Sequence, residues 1–227
     1  MEQQKSMVFI TILLALTAGY CDTVTFVSAG ELFSAHVTGN FIVFAYDLIK
    51  HADTVSWLKL LSFPVFIIAV IIGGIIASRS ITASNILMLE GVILTLTGIT
   101  YLALLPAELI LHHWTNFSLA MCIVFAMGLQ NAFGKIYPKE TYGPTTMMTG
   151  NVTQAALDLG KMFNSKVEDF STKASFYHDS ITIVSFLAGC VFGGILGKGI
   201  GLTAVSIPGA VMIIYATTIR KPEPELR

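Results

Sequence analysis

An all-α fold, a polytopic membrane helix bundle of two homologous four-segment repeats, is predicted by three observations. The 227-residue chain is 54% hydrophobic and only 12% charged, against about 25% charged in a typical soluble domain. Its apolar runs come close to the roughly 20 residues that cross a hydrocarbon core. Three short motifs recur in the same order in its two halves. The mean hydropathy of +0.75 agrees with a chain whose solvent is the bilayer.

The first run, Met7–Ser28, resembles a signal peptide, with Lys5 ahead of Val8–Ala18 and Ala-Gly-Tyr-Cys ending at Cys21. Tyr20 is too bulky for a cleavage site and the apolar stretch continues through Thr23–Val27, so a retained helix is expected. Five more long runs follow at Trp57–Ser78, Asn85–Leu105, Asn116–Phe133, Ile181–Leu196 and Gly199–Ile219. Two segments, Phe33–Ile49 and Pro144–Phe163, are shorter and more polar.

Those two segments carry the repeat. Thr38-Gly39-Asn40 and Thr149-Gly150-Asn151 are each followed, seven residues after the Asn, by an Asp-Leu pair, Asp47-Leu48 and Asp158-Leu159. The preceding helices align as Ala18–Asp22 opposite Met127–Asn131, with two extra residues in the second connecting loop. The following helices match as Phe66-x-x-Ala69-x-x-x-Gly73-Gly74 against Phe186-x-x-Gly189-x-x-x-Gly193-Gly194. Ordered self-similarity of this kind marks an internal duplication. One membrane domain over 1–227 is therefore expected, with repeat one at 7–105, a linker at 106–114 around Pro106, His112 and His113, and repeat two at 115–219.

Gly19-x-x-Asp22, Thr38-Gly39-Asn40, the Gly-Leu-Gln-Asn-Ala run at Gly128–Ala132 and Pro-Thr-Thr-x-x-Thr-Gly at Pro144–Gly150 together resemble the YoaK family. That family consists of bacterial multi-pass membrane proteins carrying a domain of unknown function. The resemblance covers nearly the whole chain and implies a bacterial inner-membrane location. It implies no substrate.

An acid inside an apolar helix costs roughly 2.5–3.5 kcal/mol at the helix centre on insertion scales and is read as functional by default. Asp22 is the leading such group, a proton or cation handler, and its repeat counterpart is the neutral Asn131, beside Gln130. The two Thr-Gly-Asn segments read as starts of short intramembrane helices, since Thr and Asn favour N-caps and free N–H groups at a helix start attract polar ligands. Two such starts facing each other near the midplane would make a site, as in repeat-built transporters. In the alternative, Gly39 and Gly150 only let helices pack closely. The expected binding set is Asp22, Thr38, Gly39, Asn40, Gln130, Asn131, Thr149, Gly150 and Asn151. His36, Asp47, Glu90 and Asp158 are weaker members; Glu90, a few residues into its helix, is expected to snorkel to the headgroups.

No basic cluster suits nucleic acid, and no compact nucleophile–base set suits an enzyme. Cys21, Cys122 and Cys190 sit within apolar runs as free thiols. Neither a cofactor nor a metal is indicated. The expected partners are the lipid bilayer and a small polar solute or ion, with a homo-oligomer left open. If all eight segments cross, the repeats are parallel. If the Thr-Gly-Asn segments are re-entrant, six cross, the repeats are inverted, and Lys5, Arg79, Lys135, Lys139, Lys161, Lys166, Lys173, Arg220, Lys221 and Arg227 share one side. Both threadings place both termini in the cytoplasm by the positive-inside rule. The functional expectation is a transporter of a small polar solute or ion, with a passive channel or a non-transporting membrane protein as alternatives.

Overall fold

The computed structural model describes residues 2–50, 56–79, 82–107, 113–164 and 169–219. Among these the α-helices are α1 Glu2–Ser28, α2 Gly39–Ile49, α3 Ser62–Arg79, α4 Ser84–Leu104, α5 His113–Ile136, α6 Met148–Asn164, α7 Phe170–Ile200 and α8 Ser206–Ile219. Tight 3-10 turns at Ser56–Leu61 and Gly201–Val205 lead into α3 and α8. Residues 108–112 of the expected linker, His112 included, lie outside the described residues. Five stretches are long and apolar enough to cross a membrane, the last of them, Phe170–Thr218, holding both α7 and α8. The chain is a multi-pass helical membrane protein.

Two helices differ from expectation. The run at Ile181–Leu196 extends back to Phe170, because Asp169 caps the helix by accepting the Ser171 N–H at 3.0 Å. The run at Gly199–Ile219 is broken at Gly201, whose φ of 62° is a conformation glycine adopts without strain. Its first two residues close α7, Gly201–Val205 is a 3-10 turn, and the remainder is α8.

Helix directions follow from two buried apolar clusters stacked along the bundle. One joins Leu13 and Leu14 of α1, Ile86 and Leu87 of α4, Leu129 and Phe133 of α5, and Met212 and Ala216 of α8. The other joins Ala18, Cys21 and Val24 of α1, Leu94 and Tyr101 of α4, Ile123 and Met127 of α5, and Leu202 and Val205 ahead of α8. From the first cluster to the second, residue numbers rise along α1 and α4 and fall along α5 and α8. The cross-helix hydrogen bonds from Gln130 Nε2 to the Leu14 carbonyl and from Asn116 Nδ2 to the Ser28 carbonyl, each 2.8 Å, set α1 antiparallel to α5.

Glycines fix the remaining directions. A Cβ on Gly189, Gly193 or Gly197 would run into Leu16, Tyr20 or Val24 respectively, so α7 lies parallel to α1 with its backbone pressed against it. A Cβ on Gly128 would meet Ala69 at 2.6 Å, and one on Gly73 would meet Ala132 at 2.7 Å, so α3 lies parallel to α5. The same relation holds at matched positions: Gly19 abuts the Phe186 carbonyl, and Gly128 abuts the Phe66 carbonyl. The helix ahead of each Thr-Gly-Asn segment, α1 or α5, thus packs on the helix that follows the other such segment, α7 or α3.

Six helices therefore alternate in direction: α1, α3, α4, α5, α7, α8. The chain reaches the far end of the bundle on α1 and leaves that same end on α3, so α2 makes no net crossing. By the same argument α6 stays at the near end, where α1 starts. Their lengths agree, since 11 and 17 residues span about 16 and 25 Å against a core of about 30 Å.

Candidate functional site

The connections that follow α1 and α5 each fold back into the bundle and are anchored there. In the first, the Asp22 carboxylate accepts the backbone N–H of Ala35, the N–H of His36 at 3.3 Å and the Ser34 hydroxyl at 3.4 Å, and its second oxygen pairs with His36 Nδ1. Asp22 is 4% exposed, and a buried carboxylate is tolerated where several donors meet it. Its acceptor capacity is spent holding residues 34–36. The His36 ring also lies edge-on to Phe186 of α7, centroids 5.5 Å apart.

In the second connection Asn131 Nδ2 donates to Thr146 Oγ1 at 2.7 Å, and Gln130 Nε2 to Thr145 Oγ1 at 3.1 Å. Aligning Thr38 with Thr149 puts Ser34 opposite Thr145 and Ala35 opposite Thr146, so both connections are held at matched positions. One anchor is ionic and the other amide-based.

The Thr-Gly-Asn segments do not form the expected pair of helix starts. Thr38 precedes α2 in a helical conformation with no side-chain capping bond, and Thr149 already lies inside α6. Thr38, Thr149 and Gly150 are exposed, and a Cβ on Gly150 would meet nothing within 4 Å. The asparagines are the working residues: Asn40 Nδ2 donates to the Phe33 carbonyl and Asn151 Nδ2 to the Pro144 carbonyl, each at 2.8 Å and seven residues back. Asn40 also accepts the Phe33 N–H and donates to Ser62 Oγ, both at 2.8 Å. Each asparagine closes its own connection onto the helix that follows.

Nor do the two copies face each other. Gln130 stands opposite Leu14, which puts Asn131 level with residue 13 of α1, nine residues before Asp22. At 1.5 Å per residue the anchors are about 14 Å apart along the axis, with α2 and α6 beyond them at opposite ends. Asp47 and Asp158 are occupied by ion pairs, with Lys59 at 2.6 Å and Lys161 at 3.0 Å; Gln154 also donates to Asp158 at 3.0 Å.

From the second anchor towards the first, at the level where the two apolar clusters meet, lies a polar layer. Thr17 falls between Leu14 and Cys21 on α1, Glu90 between Leu87 and Leu94 on α4, and Gln130 between Met127 and Phe133 on α5. All three are 0% exposed, and among the described residues Thr17 Oγ1, both Glu90 carboxylate oxygens and Gln130 Oε1 have no hydrogen-bond partner. Glu90 is also within electrostatic reach of the Cys21 thiol. The expected snorkelling of Glu90 is corrected here: Ser84, the first residue of α4, is itself buried, and Glu90 shares the inward face of Leu87 and Leu94. Sequence reasoning ranked Glu90 low, did not single out Thr17, and read Thr145 and Thr146 as polar groups facing protein or water without placing them in the binding set. The signal for Glu90 was present, as the single acid within Ser84–Leu104.

A cavity of about 10 Å³, the size of a single water, adjoins the second anchor and is lined by Gln130, Asn131, Thr145 and Thr146. At the far end a groove of about 560 Å³ lies among Ser28, Tyr101, Gly197, Gly201 and Thr203.

A family model described as a protein of unknown function, DUF1275, matches residues 10–218. The chain belongs to the DUF1275 family. The DUF1275 match takes in both anchored connections and the polar layer from Thr17 to Gln130. No curated protein and no solved structure matches the chain.

Proposed function

We propose that this DUF1275 protein is a transporter of a small polar solute or ion, built from two inverted repeats that rock about the polar layer. The observation that carries the reading is the antiparallel register of α1 and α5, held by the Gln130–Leu14 and Asn116–Ser28 bonds. With matched connections anchored from opposite ends, this is the architecture in which one sequence element can gate each side in turn. Unpartnered buried polar groups at mid-height supply what a passing polar solute needs and a purely structural core avoids. The membership brings no activity of its own and fits the resemblance to the YoaK family.

Six crossings bring Lys5, Arg79, Lys135 and Lys139 to the near end, where α1 starts and α8 finishes, and the positive-inside rule supports reading that end as the cytoplasmic side of a bacterial inner membrane. The reading is tested with a cysteine at Thr17 in a background free of other cysteines, treated with membrane-impermeant thiol reagent from either side. A transporter admits reagent from one side per conformational state. Simultaneous access from both sides would mean a channel, and access from neither a structural bundle.

A further inference from the structure

We propose that Glu90 is an exchangeable proton-binding site, so that the ion coupled to transport is a proton. The inference rests on the transporter reading and deepens it. Glu90 is fully buried, yet among the described residues neither carboxylate oxygen meets a donor. An ionised carboxylate kept from water without a counter-charge costs several kcal/mol even after relaxation, so a bound cation must meet its charge.

The surroundings select the proton. Among the described residues, the titratable groups facing the interior near this height are Tyr20, Cys21 and Asp22 on α1 and Tyr215 on α8, and none of them is cationic, while Cys122 on α5 is exposed. Tyr20 is committed to the Ala204 carbonyl and Asp22 to the first connection. Lys135 on α5 and Arg79 on α3 are exposed at helix ends. Among the described residues no three His, Cys, Asp or Glu side chains converge to hold a metal ion.

The polar layer is rich in acceptors. With Glu90 ionised, its two oxygens and Gln130 Oε1 are acceptors only, and the Thr17 hydroxyl is the one donor among the unpartnered atoms of these three residues. Protonation converts one carboxylate oxygen into an O–H donor. The step is a simple transfer: hydronium gives its proton to the carboxylate and leaves as water.

The position also suits exchange. Next to Glu90, Gly91 of α4 meets α8 so closely that a Cβ would lie 2.8 Å from the Gly209 carbonyl, and a Cβ on Gly209 would lie 2.9 Å from the Gly91 carbonyl. This reciprocal glycine contact joins the last helices of the two halves. Rocking of one half on the other passes through it and alters what covers Glu90.

The test is infrared spectroscopy of the full chain in lipid, with the glutamate carboxyls labelled with carbon-13, comparing wild type with Glu90→Gln. At neutral pH a protonated-carboxyl stretch is expected that moves with the label, shifts in heavy water and vanishes in the variant. Thr17→Val should displace the band without removing it, which keeps the assignment open to test even if Glu90→Gln fails to fold. No labelled protonated band at neutral pH would overturn the proposal. A band that never responds to heavy water would make Glu90 a sealed structural acid, and one that appears only when sodium is withdrawn would make sodium the ion. Because the readout requires no transport, the proton site can fail while one-sided access at Thr17 still holds, and the converse.

Discussion

Asn40 and Asn151 make the same bond at opposite ends of the molecule: each side-chain amide reaches the backbone carbonyl seven residues back at 2.8 Å. They differ in what else is available. Asn40 also takes the Phe33 N–H, whereas Pro144 has no N–H to offer. Asn40→Ala should therefore destabilise by about 2–3 kcal/mol and Asn151→Ala by about 1 kcal/mol, read as thermal unfolding in detergent. Thr38→Ala, at an exposed position without a capping bond, should stay within about 0.5 kcal/mol of wild type.

The first connection should loosen in alkali. His36 stands on the loop between α1 and α2, outside the spanning helices; its hydrogen bond to Asp22 and the carboxylate's charge raise its pKa above 6.5, against a smaller opposing effect of burial. A raised pKa gives stability that is fully present below the unfolded value, near 6.5, and lost as pH climbs through the higher folded value. Amide hydrogen exchange across residues 29–38, corrected for its intrinsic pH dependence, should speed up over that interval. In Asp22→Asn the dependence should disappear, and a persisting dependence would detach it from this pair.

Two glycines of α7 should respond in opposite ways to alanine. At Gly189 a Cβ would strike the Leu16 backbone, so Gly189→Ala forces α1 and α7 apart and should cost about 3 kcal/mol or more. At Gly199 nothing lies within 4 Å, and alanine should gain about 0.5–1 kcal/mol of helix propensity. Melting temperatures of the two variants would be compared side by side.

Glu90→Met should raise the melting temperature. Replacing an unpartnered buried carboxyl with an apolar side chain of similar size removes a penalty of about 1–3 kcal/mol. A marked loss of stability instead would show that Glu90 has a structural partner in the membrane.

Single cysteines at His51 and Asn164 should be labelled from opposite sides of the bilayer. The antiparallel α1 and α5 require it, and labelling from one side alone would mean that α2 and α6 cross.

How far the sequence could be read depended on the kind of interaction. The apolar runs and the motif matches at Thr-Gly-Asn and the glycine faces are local and visible along the chain. Whether the two Thr-Gly-Asn segments cross depends on helix direction, which Gln130 and Asn116 set through bonds to residues far away in sequence. Asp22 was conspicuous as an intramembrane acid, but its partners are mainly backbone N–H groups of Ala35 and His36, which no residue code reveals. Glu90 shows the converse. Its proximity to the start of a hydrophobic run suggested an interfacial acid, and only the burial of Ser84 places that start beneath the surface.

Ser28 bonds to the Gly197 carbonyl across 169 residues of chain, and α1 presses along α7 from Leu16 to Ser28. During synthesis α1 would enter the membrane long before its glycine-lined partner is made, and α3 would likewise wait for α5. Neither half closes its own tightest seam, so a translocon or chaperone must keep the early helices apart from lipid-mediated mispairing until the last third of the chain arrives. Two separately expressed halves should accordingly be degraded alone and rescued together.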